Sequence, residues 1–136
     1  MTICGIEMHG AEARLVLLNG DKSSFSHADI KPKKLKLTDD ENPKEVRAFR
    51  DSIFAFFREN NVSLVAIKKR SKKGDFSGGP IGFKLEGIIQ LYEGCPVRIV
   101  AAQTISAIQK KDSPDKPDSL LKYQDVAFET AYSVLK

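Results

Sequence analysis

The chain has no tryptophan, only two cysteines (Cys4, Cys95) and only two histidines (His9, His27) in 136 residues. Those four show no CxxC or HxxxH spacing, which argues against a structural zinc site. Two cysteines in a chain without a secretory leader fit buried thiols better than a disulfide. Both histidines fall in the early hairpin region without a placed Ser or Cys partner, so no acyl-transfer triad is expected. No apolar run approaches the roughly 18–20 residues a membrane span needs. The opening TICGIEMHG lacks the basic and apolar regions of a secretory signal. A cytoplasmic protein with no membrane partner is the expectation. Neither a Walker nor a dinucleotide fingerprint is present, and no cofactor is expected.

What remains is an ordinary globular composition, 41% apolar and 29% charged, with a formal net charge of +4. That suits one domain with a two- or three-layer core. The distribution of charge is more informative than its sum. Lys31, Lys33, Lys34 and Lys36 form one cluster; Lys68, Lys69, Arg70, Lys72 and Lys73 form another, directly after an apolar strand. A basic loop at the carboxyl end of a strand stands where open α/β sheets build their sites. The following Gly74–Gly79 stretch leads into a helix, and backbone N–H groups there, with Ser77, Gly78 and Gly79, are suited to an anion. The expected binding residues are Lys68, Lys69, Arg70, Lys72, Lys73, Ser77, Gly78 and Gly79, and the expected partner is nucleic acid or another polyanion.

Residues 2–8 and 12–18 read as strands and Asn19-Gly20 as the hairpin turn before a third strand near 22–30. Residues 31–40 read as a polar connection. Asn42-Pro43-Lys44-Glu45 reads as a helix start, with Val46, Phe49, Ile53, Phe56 and Phe57 on its apolar stripe and Asn60-Asn61 at its end. A continuous apolar strand at 62–67 follows. A second helix is expected from near Pro80 to Gly94, a strand over 96–101, a short helix over 104–110, irregular chain over 112–118 and a last helix from about 118 to 135. Gly82 and Gly87 inside the second helix cost about 1 kcal/mol each unless they permit close packing.

This order of elements, together with several short motifs, resembles the RNase H-like superfamily and its RuvC-type resolvase branch. Ile3-Cys4-Gly5-Ile6-Glu7 resembles the opening strand, Leu64-Val65-Ala66-Ile67-Lys68 the strand ending in a catalytic acid, Cys95-Pro96-Val97-Arg98-Ile99-Val100 the strand after it, and Asp125-Val126-Ala127-Phe128-Glu129 the last helix. The stretch AIKKRSKKGDFSGGPIGFKLEGIIQLYEG is similar to a family of unknown function among short gammaproteobacterial proteins. The resemblance implies one α/β domain over residues 1–136. It would have three layers, with a five-stranded mixed sheet (three antiparallel strands, then two parallel) and helices on both faces.

The resemblance also implies carboxylates that bind two divalent ions for phosphodiester hydrolysis. The matching positions are Glu7, Lys68 and Asp125, with Phe128 where a second acid would stand; Glu86 or Glu129 could substitute. Glu7 and Asp125 are thus the catalytic and metal candidates, with Glu86 a further metal candidate and magnesium the ion if a nuclease survives. Lys68 puts a cation where an ion should sit, and the expectation is that it pairs with Glu7 and Asp125. Three readings follow: a non-catalytic module binding nucleic acid, a divergent RuvC-like nuclease, and a protein-interaction module that a homodimer would suit.

Overall fold

A computed structural model of the chain describes residues 1–70 and 79–136. Strand β1 (Thr2–His9) runs antiparallel to β2 (Glu12–Asp21), pairing Ile3 with Leu18 and Glu7 with Arg14. Strand β3 (Ser24–His27) returns along the far half of β2. The hairpin turn lies at Lys22-Ser23, later than expected, because Gly20 pairs with Phe25 inside the ladder with φ +113. Asp21 fixes this turn: its Oδ1 accepts from the Ser24 N–H at 2.9 Å and the Ser23 hydroxyl at 2.6 Å.

Residues 31–40 are not all connection. Lys34–Lys36 forms a short strand, β4, on the near half of β2, pairing Lys34 with Arg14 and Lys36 with Glu12. Its one apolar residue, Leu35, packs on the core while the flanking lysines stay out. Three residues alternating this way give too brief a pattern to read in sequence, and lysines suit an edge strand that must not pair further. Among the described residues the sheet therefore has six strands, with β3 and β4 sharing one edge of β2.

Helix α1 (Pro43–Glu59) starts as its residues dictate: the Asn42 side chain accepts from the Lys44 N–H at 3.0 Å and Pro43 takes the first turn. It ends where Asn61 takes φ +52. Strand β5 (Leu64–Lys68) pairs parallel with β1, then helix α2 (Gly79–Gln90) and strand β6 (Val97–Val100) complete the parallel half. Helix α3 spans Ala102–Asp112, longer than expected. The last helix is shorter: α4 covers Asp125–Ser133 after a 3₁₀ turn at Lys122–Gln124. Gln124 explains the late start. Its fully buried side chain accepts from the Leu121 N–H at 3.0 Å and donates to the Leu15 carbonyl at 2.9 Å, tying the helix entry to β2.

Alternation along the strands divides the core. Cys4, Ile6, Leu15, Leu17, Val65 and Ile67 face α1 and α2, while Ile3, Val16, Leu18 and Leu64 face α4. Ala66 and Val100 meet Ile105 of α3 on the α4 side. The layers are helix, sheet, helix, as expected. Gly5 lets α4 lie directly on β1, since a Cβ there would strike the Ala127 carbonyl and stand 2.7 Å from Ala131 Cβ. Among the described residues, no helix is long and apolar enough to cross a membrane.

Candidate functional site

The register places one row of side chains across the α4 face at the carboxyl ends of β1 and β5. Lys34 is opposite Arg14 and Arg14 is opposite Glu7. The Ile6–Ile67 pairing puts Lys68 beside Glu7, and Lys68 in turn pairs with Val100. At about 4.8 Å per strand, Lys34 and Lys68 stand about 14 Å apart. Lys34 of one lysine cluster and Lys68 of the other thus share one end of the sheet. Tyr123, from the 3₁₀ turn, lies over this row with Lys34 Nζ 4.9 Å and the Arg14 guanidinium 5.5 Å from its ring centroid.

Glu7 is half-buried. Burial pushes its carboxyl above the ordinary value, against the pull of Arg14, then His9, then Lys68, while the Glu129 charge adds to the push. Its ion-pair partner is Arg14, at 3.8 Å, which also holds Glu12 at 2.8 Å. Above it, α4 presents Asp125 and Glu129 one turn apart, and the Lys116 ammonium bridges them, 3.4 Å from each. Lys122 adds a second cation 3.4 Å from Asp125.

This corrects the expectation for Lys68. Among the described residues its ammonium forms no ion pair with Glu7 or Asp125; it acts on Glu7 from farther away, behind Arg14 and His9. The charges in contact with the α4 acids come from Lys116 and Lys122. Lys116 belongs to the DSPDKPD segment, which showed no regular structure in the sequence and was given no role. The available signal was a single cation among three aspartates and two prolines, spaced so that only the fold reveals its targets.

Phe128 is fully buried against Phe25, with ring centroids 6.0 Å apart, so it serves the core. Glu129 lies on the Asp125 side of the helix, within the field of Glu7. Glu86 does not join them. It sits on α2, across the sheet, where its charge acts on Arg70. Arg70 itself is 8% exposed and turned inward. Its guanidinium lies 5.4 Å from the Phe83 ring centroid and against Gly82, where an added Cβ would require the guanidinium to move. Burial pushes its pKa down, against the pull of the Glu86 charge. Lys69 is exposed, and Gly79 opens α2 with φ +70. Lys72, Lys73, Ser77 and Gly78 lie outside the described residues.

His27 has a partner the sequence did not suggest: Ser119 Oγ, 2.8 Å from Nδ1. Asp29, whose charge acts on the ring, is held by Lys33 at 3.1 Å, and the His27–Ser119 pair links β3 to the 113–121 segment.

A divalent ion needs carboxylate oxygens converging on a point free of other cations. Here Arg14 and Lys116 already contact the acids. A divalent ion about 4 Å from the Lys116 ammonium meets a repulsion of about 8 kcal/mol at an effective dielectric of about 20. Among the described residues, no three His, Cys, Asp or Glu side chains are arranged to hold a metal ion. The residues present do not fit the pair of ions that the resemblance implies.

The family model described as "Protein of unknown function (DUF3010)" matches residues 1–134. No curated protein matches the chain. Among solved structures, RuvC of Thermus thermophilus in complex with Holliday junction substrate is similar over 98% of this chain and 91% of that one, at TM-score 0.66 and 11% identity. The Fowlpox virus resolvase with Holliday junction DNA is similar over 98% and 95%, at TM-score 0.58 and 16% identity. The fold is thus RNase H-like, of the RuvC type.

Proposed function

We propose, for a chain that belongs to the family of proteins of unknown function DUF3010 and carries a RuvC-type fold, a non-catalytic module that binds nucleic acid through the cationic end of its sheet. The observation that carries this reading is the cross-sheet row of Lys34, Arg14 and Lys68, with Lys69 and Lys122 exposed beside it. Spaced cations of this kind meet successive phosphates, and Tyr123 offers a ring on which a base can stack. Lys72, Lys73, Ser77, Gly78 and Gly79 are proposed as further phosphate contacts; buried Arg70 is left out of them. That two similar structures hold Holliday junction DNA supports testing branched DNA first.

The catalytic reading is set aside because the carboxylates at this end are already paired with lysine and arginine. The test is fluorescence anisotropy with labelled single-stranded, duplex and four-way DNA over a salt series. Association that weakens log-linearly with salt is expected. Absence of any association contradicts the proposal. So does magnesium- or manganese-dependent cleavage that Glu7→Ala abolishes, which would instead establish the nuclease reading built on Glu7, Asp125 and Glu129.

A further inference from the structure

An arginine side chain carries several N–H donors and a charge it keeps at ordinary pH, so burial without partners is strongly unfavourable. Arg70 is in that position. It is 8% exposed, and among the described residues none of its three guanidinium nitrogens has a hydrogen-bond partner. The Phe83 ring, 5.4 Å away, attracts the cation as a whole but leaves its N–H edges without an acceptor. A buried donor set of this kind calls for an acceptor, and an anion supplies one.

The surroundings favour the same ligand. The guanidinium rests against Gly82, at the end of the first turn of α2, where the missing Cβ makes room for it. The N–H groups of Gly79, Ile81 and Gly82 have no partner within the helix, Pro80 has none to offer, and no acidic residue stands in that turn. The positive end of the helix dipole thus lies beside a second positive charge. Glu86, whose charge acts on Arg70, comes one turn after Gly82, on the side away from the helix start.

We infer that Arg70 and the first turn of α2 form a site for a phosphate group, with the guanidinium fork taking two oxygens and helix N–H groups a third. A carboxylate has no third oxygen to offer. Helix α2 covers the face of the sheet opposite α4, so this site is separate from the row of Lys34, Arg14 and Lys68. Its depth suits free phosphate or the terminal phosphate of a nucleotide, not a duplex backbone.

The test is titration of the full chain with inorganic phosphate, followed by backbone amide NMR, against sodium chloride at equal ionic strength. Phosphate is expected to shift the amides of Ile81, Gly82 and Phe83 saturably, and chloride is not. Arg70→Met is expected to bind phosphate about tenfold or more weakly than wild type. Gly82→Ala keeps the arginine but moves its guanidinium aside, and is expected to weaken binding as well. Adenosine monophosphate is expected to shift the same amides; tighter binding than inorganic phosphate identifies a nucleotide's phosphate as the ligand, and equal or weaker binding identifies free phosphate. Wild type without saturable shifts at those amides overturns the inference. So does a folded Arg70→Met that binds phosphate as wild type does, or shifts centred instead on Lys34 and Lys68. None of these readings uses DNA, so the outcome stands apart from whether the cationic row binds nucleic acid.

Discussion

Glu7 shows how burial and charge compete at a single residue. Arg14, His9 and Lys68 all favour its ionised form, yet burial outweighs them and raises its pKa above the ordinary carboxyl value. A carboxyl whose folded pKa is raised contributes its full share of stability below the unfolded value, and that share is lost as pH rises through the folded value. Glu7→Gln is therefore expected to raise Tm at pH 7 and to lose that advantage below about pH 4, where wild type is protonated too. Tm measured across pH checks this; an advantage that grows on acidification contradicts it. Gln124 is the opposite kind of residue, neutral and fully buried with both amide groups engaged. Gln124→Leu keeps the volume but leaves the Leu15 carbonyl and the Leu121 N–H short of partners. A loss of about 1–3 kcal/mol by denaturant unfolding is expected. No loss would show that water replaces the amide.

Helix α2 separates two glycines that look alike in sequence. Gly87 is exposed with nothing near its missing Cβ, whereas Gly82 lies under the Arg70 guanidinium. Gly87→Ala is expected to stabilise by about 1 kcal/mol, and Gly82→Ala to stabilise less because the Arg70 guanidinium must move aside. Equal effects in chemical denaturation would contradict the contact. The same distinction explains what was legible beforehand. Helix α1 and the central strands carry long periodic patterns and local caps, so their residues alone announce them. Strand β4, three residues long, depends on the edge of β2. The late start of α4 depends on one side chain reaching a strand more than a hundred residues away. Asn19-Gly20 misplaced the hairpin turn because the positive φ of Gly20 was put to use within the ladder. For the site, Glu7 and Asp125 were legible by position in the resemblance. The contacts of Lys116, the inward turn of Arg70 and the separation of Glu86 were not, since each depends on the packing of distant segments.

At the scale of the molecule, the net charge of +4 matters less than where the register collects it. Lys34 and Lys68, more than thirty residues apart in the chain, meet at one end of the sheet because β4 and β5 flank the β1–β2 pair. Carboxylates lie within that end, paired with Arg14, Lys116 and Lys122, and Lys34, Lys68 and Lys69 are among its remaining cations. Phosphate binding there releases counterions in proportion to the cations engaged. The most direct measurement is the slope of log K against log salt for duplex DNA, for wild type and for Lys34→Gln/Lys68→Gln. The double variant is expected to bind more weakly, with a slope shallower by about two. Parallel lines, or a wild type that binds no DNA at low salt, would contradict the account.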